Sequence, residues 1–327
     1  MIKRKIYKLK KMWYSKPMFE NLNEKSIFNV KKEIISLLKN SKNPFVAQSP
    51  VLDANILLCH FLNLSKTALI CNDSRILKEA ELDTIQQGIE KRLSGLPVAY
   101  ITNHKEFFGY DFYVDQNVLI PKPDTELLVE QALLAVDKAF VTAPEKKADY
   151  KIADVCTGSG CIAISVLKTL FQKYGSSIKV AASDISKAAL VVAEKNANTL
   201  LSQEERQNIS FYQGDLFQAF SSSENQKFDM ILSNPPYVPT NLTEELLSDG
   251  RSEPRLALDG DSDGLGIIRR LVEEARNHLK KGGVFFLEAG EYNVEEAGKC
   301  LLKAGFTDIF IHKDLAGLLR LVEAHIN

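Results

Sequence analysis

Phe228-Asp229-Met230-Ile231-Leu232-Ser233-Asn234-Pro235-Pro236-Tyr237 is the run around which the chain can be read. Its first half is short and apolar, the pattern of a buried strand. Two prolines then remove backbone donors and fix φ, so the chain leaves the sheet at once and stiffly. Asn234 is thereby placed at the strand's C-terminal tip, where open α/β sheets hold their ligands. The carbonyls on either side of the Asn234–Pro235 bond, with the Asn234 side-chain oxygen, form a rigid set of acceptors. Such a set suits a planar NH2 group: it takes both hydrogens and leaves the nitrogen facing something else. Tyr237 supplies an aromatic wall over that plane.

Outward from this run, strand and helix patterns alternate from Lys151 onward. Strands are predicted at 152–156, 178–183, 208–213, 228–233 and 283–288, and helices at 161–173, 186–200 and 265–280. The alternation predicts βαβ units and a parallel sheet covered on both faces, an α/β, Rossmann-like architecture. Two more short strands are expected between Thr307 and Glu323, with Gly305 and Gly317 as punctuation.

The first of these strands ends in Asp154-Val155-Cys156-Thr157-Gly158-Ser159-Gly160, and a helix follows directly. Gly158 and Gly160 let backbone come close to a ligand. The loop departs from Gly-x-Gly-x-x-Gly only in closing on Ala163, which that pattern allows, and alone it is a weak signal. The second strand ends at Ser183-Asp184, an acid placed to accept both hydroxyls of a ribose. The third ends at Gly214-Asp215-Leu216, a mixture of polar and apolar groups that suits an adenine ring. The loop has no lysine, which excludes a nucleotide-triphosphate P-loop. These three tips fit a dinucleotide or S-adenosylmethionine equally. The fourth, Asn234-Pro235-Pro236-Tyr237, is explained well only by a methyl donor.

Upstream, the periodicity is helical from Ile27 to Arg92, with Val30, Ile34, Leu37 and Leu38 on one stripe and Ala54, Leu57, Leu58 and Phe61 on another. Asn40 to Pro50 interrupts it, Asp53 reads as an N-cap or first-turn acid, and a third helix is expected from Glu79 to Gly95. Phe107 to Val114 is aromatic and β-branched around a glycine and predicts a hairpin. In Ile120-Pro121-Lys122-Pro123-Asp124-Thr125-Glu126 the prolines forbid helix until Asp124 or Thr125 opens one through Leu128 and Ala132.

The chain has 327 residues and a net charge of −1, so no global field draws it to nucleic acid or membrane. No apolar run is long enough to cross a bilayer. Five scattered cysteines without a CxxC pair suggest reduced thiols in a reducing compartment, with a cytoplasmic setting expected and no metal site. His60 beside Cys59 reads as core. Lys3, Arg4, Lys5, Lys8, Lys10, Lys11 and Lys16 form a basic start without acids, expected as a disordered tail, with a transit peptide the other reading. The lysine-rich stretch at 145–147 reads as a solvated loop.

Several motifs support a resemblance: Gly95-Leu96-Pro97-Val98-Ala99-Tyr100-Ile101, Glu106-Phe107-Phe108-Gly109, Leu119 to Glu126, Thr157-Gly158-Ser159-Gly160 and Asn234-Pro235-Pro236-Tyr237. Glu253-Pro254, Ala257-Leu258, Asp263-Gly264-Leu265 and Glu288-Ala289-Gly290 add to them. Over Asp53 to Val322 the chain resembles the HemK/PrmC family, the glutamine N5-methyltransferases of peptide chain release factors. The Pro-Lys-Pro-Asp-Thr-Glu version looks closer to the release-factor enzymes than to relatives that modify a ribosomal protein.

The resemblance implies a seven-stranded class I methyltransferase domain preceded by a small helical domain and a β-hairpin linker. The expected boundaries are a basic tail at 1–20, a helical substrate-docking domain at 21–96, the hairpin at 97–123 and the methyltransferase domain at 124–327. It implies S-adenosylmethionine as donor, S-adenosylhomocysteine as product, a release factor as protein partner, and action as a monomer. Cys156, Thr157, Gly158, Ser159, Gly160 and Asn234 would line the donor, Asp184 would take its ribose and Leu216 its adenine. Asn234 and Pro235 would be catalytic and Pro236 and Tyr237 would complete the substrate site. Cys156 stands where the family has glycine, which tightens the loop and introduces an oxidisable thiol, and Asn293 stands where glutamine is common. The Asn-Pro-Pro-Tyr cluster also occurs in exocyclic adenine methyltransferases, so an N6-adenine enzyme is an alternative, as is a ribosomal-protein glutamine as substrate or a donor-binding scaffold. An enzyme that flips a base needs a basic footprint, and the catalytic half lacks a basic stripe.

Overall fold

The computed structural model describes residues 18–19, 24–142, 149–220, 227–248, 250 and 252–327. The basic start and the lysine-rich stretch at 145–147 lie outside these residues. The chain divides into two compact units, Met1–Thr102 with Ser248–Ser252, and Asn103–Leu247 with Glu253–Asn327.

The first unit is helical: α1 (Ile27–Lys39), α2 (Pro44–Ala47), α3 (Pro50–Leu62), α4 (Lys66–Cys71), α5 (Glu79–Leu93) and α6 (Val98–Thr102). Ser26 caps α1 by accepting the Asn29 amide, and the helical stripe Val30, Ile34 and Leu38 is fully buried. The break at Asn40 to Pro50 contains the single turn α2, and α4 lies within the helical span, though the periodicity gave it no bounds of its own. Asp53 lies in the first turn of α3 and is 5% exposed. It pairs with Arg92 of α5 at 2.7 Å, and Arg92 also donates to the Phe45 carbonyl at 2.9 Å. A charge buried this deeply needs its partner; deleting either one costs about 3–5 kcal/mol.

The second unit opens with a hairpin of β1 (His104–Phe107) and β2 (Tyr110–Tyr113), turned by Phe108 and Gly109, both at positive φ. A 3-10 turn at Pro123–Thr125 leads into α7 (Glu126–Thr142), as the prolines require. Then follow β3 (Tyr150–Val155), α8 (Cys161–Tyr174), β4 (Ile178–Asp184), α9 (Lys187–Leu200), the short α10 (Gln203–Arg206), β5 (Ile209–Gln213) and β6 (Phe228–Ser233). The chain ends through α11 (Thr240–Leu247), α12 (Gly266–His278), β7 (Leu279–Glu288), α13 (Val294–Lys303), β8 (Thr307–Lys313) and β9 (Leu319–His325).

The sheet order is β5-β4-β3-β6-β7-β9-β8. The first five strands are parallel, as the alternation predicts, and β9 runs antiparallel to both neighbours. The reversal has a local cause: the link between β8 and β9 spans only residues 314–318, long enough for a turn but too short for a crossover. Successive strand residues face opposite sides, and both sides are covered. Ile152, Met230, Leu232 and Phe286 pack with α7 and α8, while Ala153, Ile231, Phe285 and Leu287 pack with α12 and α13. Met230, Ile231 and Leu232 are each 0% exposed, and burying each is worth about 1.5–3 kcal/mol, so polar replacements are excluded throughout this run.

Candidate active site

Topology reverses at β3: β4 and β5 lie to one side, β6 and β7 to the other. In register, Val155 pairs with Ser183 on one side and Ser233 on the other. Cys156 and Asn234 therefore leave the sheet beside Asp184, the last residue of β4, at its switch point.

The glycine loop after β3 is held from below. Thr157 donates to Asp154 Oδ2 at 2.6 Å, and the Ala163 amide donates to the same oxygen at 3.2 Å. Asp154 is fully buried, and its Oδ1 has no hydrogen-bond partner among the described residues. Burial raises its pKa to about 7, against the pull of the Thr157 hydroxyl. Asn196, 1% exposed, donates to the Ser159 carbonyl at 2.9 Å and both donates to and accepts from Tyr113, tying β2 to the loop. Cys156 adopts φ 66°, a left-handed conformation that favours glycine. Burial, with Asp184 and Asp154 nearby, pushes its thiol well above the ordinary range, so it stays neutral. At Gly158, φ 54°, no atom lies within 4 Å of where a Cβ would stand. At Gly160 a Cβ would meet Ile164 and Ala193 at 3.0 and 3.2 Å, so this glycine serves the packing of α8 against α9.

Asp184 Oδ2 accepts the Gly158 amide at 2.9 Å and Oδ1 accepts the Ser186 amide at 2.8 Å. Burial raises its pKa and these two amides lower it. Cys156, Thr157, Gly158, Ser159, Asp184, Leu216, Asn234 and Pro236 line one cleft, with Asp215 and Arg270 paired at its rim at 2.5 Å. Gly160, Pro235 and Tyr237 adjoin these residues in the chain but are not part of the lining.

The Asn234 NH2 donates to Thr125 Oγ1 at 3.1 Å, which leaves its oxygen for the cleft. Tyr237 turns its hydroxyl to Glu288 Oε1 at 3.4 Å, and its carbonyl accepts from Asn293 at 3.0 Å and Tyr292 at 3.3 Å. The chain beyond Pro254 braces the same segment. The Val238 amide donates to the Leu258 carbonyl at 2.9 Å and the Gly260 amide to the Val238 carbonyl at 2.8 Å. Lys122 meets the buried Glu253 at 2.7 Å. Motif stretches far apart in sequence thus converge on one end of the sheet. Thr125, Glu288 and Glu253 lie inside quoted motifs, but nothing in the sequence alone assigned them partners; Asn196 gave no signal, being one polar residue on a helix.

A mostly parallel sheet with a glycine loop, an acid and an Asn-Pro-Pro-Tyr turn on adjacent tips around one cleft defines a class I methyltransferase. Residues 32–102 match the PrmC N-terminal domain and residues 146–308 a methyltransferase domain. The release factor glutamine methyltransferase of Clostridium acetobutylicum is 36% identical, over 88% of this chain and 94% of that one. That of Leptospira interrogans is 37% identical, over 88% and 96%. The chain belongs to the release factor glutamine methyltransferase family.

Proposed function

We propose that this chain methylates N5 of the glutamine in the Gly-Gly-Gln motif of peptide chain release factors, with S-adenosylmethionine as donor and S-adenosylhomocysteine as product. The carrying observation is the Asn234 carboxamide, anchored by its NH2 and offering its oxygen to the cleft.

The residues present fit the donor. Gly158 leaves open the space a Cβ would fill, Asp184 presents a carboxylate at the cleft wall, and Leu216 adds an apolar surface at the next tip. Thr157, Gly158 and Ser159 would bed the methionine part, Asp184 the ribose and Leu216 the adenine. S-adenosylmethionine supplies a methyl group already activated on a sulfonium.

A carboxamide nitrogen is a poor nucleophile because its lone pair is delocalised into the carbonyl. Asn234 Oδ1 would accept one of its N–H bonds at the cleft and the adjoining Pro235 carbonyl the other, fixing the amide plane and easing the positive charge that develops as the N–C bond forms and the methyl–sulfur bond breaks, its electron pair staying on sulfur. One N–H proton then leaves to water, and the product carries one hydrogen fewer on nitrogen. Positioning of this kind is worth up to about 7–11 kcal/mol, enough that a strong base is not required. Tyr237, held by Glu288 and Asn293, stiffens the turn. The helical unit is the docking element for the protein substrate.

Asn234→Ala tests the reading, with donor affinity measured separately by calorimetry. Turnover on a release factor should fall about 100- to 1,000-fold while donor affinity stays near wild type. Unchanged turnover rejects the role.

A further inference from the structure

We propose that Glu288, acting through the Thr125 hydroxyl, determines which way the Asn234 carboxamide faces, so that its oxygen and not its NH2 meets the substrate. The inference rests on the function proposed above and adds two positioning residues to it.

A carboxamide turned by half a revolution exchanges an acceptor for a donor. Facing a substrate NH2, an Asn234 NH2 would offer no acceptor and would repel it. Something must therefore hold the orientation, and the backbone does not. Thr125 does so by accepting the Asn234 NH2 at 3.1 Å. Thr125 is 2% exposed, and its own hydroxyl hydrogen has to be placed without water. Were that hydrogen turned toward Asn234, it would attract Oδ1 and reverse the amide.

Glu288 removes that ambiguity. It stands at the end of β7, 1% exposed, with Oε1 accepting from Tyr237 and Oε2 without a hydrogen-bond partner among the described residues. A buried hydroxyl with a hydrogen to place thus adjoins a buried carboxyl oxygen with room to accept it, and the hydroxyl draws the Glu288 pKa down. While Glu288 is ionised it can only accept, so it draws the Thr125 hydroxyl hydrogen toward itself and leaves Oγ1 to accept from Asn234. Once protonated, Glu288 has an O–H of its own to give to Thr125 Oγ1. The Thr125 hydrogen is then released toward Asn234, and the amide can turn over.

Burial raises Glu288 to about 7, against the Thr125 hydroxyl and the Arg320 guanidinium. The charged and titratable groups facing it are Asp124 from the turn before α7, Arg320 from β9, Tyr237 from the turn after β6 and Cys161 from the start of α8. Arg320 is itself shared with Asp124 and Asp314, each at 3.4 Å. The competent form is the ionised one, so turnover is full above this pKa and declines as pH falls through it.

The test uses the full chain, a purified release factor and S-adenosylmethionine, with kcat, KM and donor affinity followed from pH 5.5 to 9. Thr125→Val should lower kcat about 30- to 100-fold with KM and donor affinity within about threefold, while Thr125→Ser, which keeps the hydroxyl, should stay within about threefold of wild type. Glu288→Gln should be slow and should lose the acid limb that wild type shows near pH 7. A second measurement needs no turnover. The Asn234 side-chain NH2 resonance, assigned by its loss in Asn234→Ala, should titrate near pH 7 in wild type and not in Glu288→Gln. Equal activity of the valine and serine variants, or an acid limb or amide titration that survives Glu288→Gln, overturns the relay. If Thr125→Val does not fold, the Glu288→Gln pH profile and resonance decide. If wild type leaves release factor unmodified, the proposed function fails, and the amide titration still decides the relay.

Discussion

Asp154 is the second fully buried acid of the sheet unit whose pKa is raised to about 7, and here the consequence falls on stability. The unfolded chain ionises this group near 3.8, so between that pH and about 7 the folded chain holds a proton the unfolded chain has lost. Stability therefore decreases with rising pH across this window, by up to about 1.4 kcal/mol per unit, and levels off above it. Asp154→Asn removes the titration. The stability difference between wild type and this variant, from urea unfolding of each, should shift by roughly 3 kcal/mol against wild type from pH 5 to pH 8. A difference constant with pH would show that Asp154 is not held neutral. At this scale the sequence is legible only where a residue's place on its strand suffices. Asp184 closes β4 and Asn234 follows β6, and both were readable; Thr125 meets Asn234 from 109 positions away and Asn196 meets Tyr113 from 83, and no local pattern contains such pairings.

The turn after β6 works as an element because a second element holds it. Gly264 has φ 74°, and a Cβ there would lie 2.3 Å from the Tyr237 carbonyl oxygen and 2.9 Å from Asn293 Nδ2, the group that bonds that carbonyl. Gly264→Ala adds left-handed strain to this clash, so it should cost about 2–4 kcal/mol and lower Tm by roughly 5–10 °C. The Asn-Pro-Pro-Tyr turn should move with it, so turnover should fall further than the affinity for S-adenosylmethionine does. An alanine variant with wild-type Tm and turnover would deny the brace. Strands and long helices were legible because apolar runs and 3.6-residue stripes report burial directly: β6 falls on 228–233 as read, and α8 and α9 within one residue at either end. The reversal at β9 was not, since strand direction depends on the length of the link to β8 and not on the apolar pattern. Nor were the bounds of α4, six residues with one buried side chain, Leu69.

In the whole molecule, every residue lining the cleft belongs to the sheet unit, which has a core on each face of its sheet. The helical unit has its own core and exposes Phe28, Leu52, Ile70 and Ile76. If the chemistry is complete without the helices, their contribution is recognition, and it should appear only when the substrate is large enough to reach them. A chain beginning at Asn103 should therefore turn over a short Gly-Gly-Gln peptide with kcat/KM within a few fold of the full chain, because the peptide occupies the cleft alone. On whole release factor the same truncation should raise KM about 100-fold, the equivalent of roughly 2.7 kcal/mol of lost docking contact. The peptide also controls for the packing that Ser248–Ser252 loses with the helices, since damage spreading from there to the cleft would slow both substrates alike. Equal losses on peptide and protein would therefore mean that the helices support the fold of the sheet unit and do not grip the substrate.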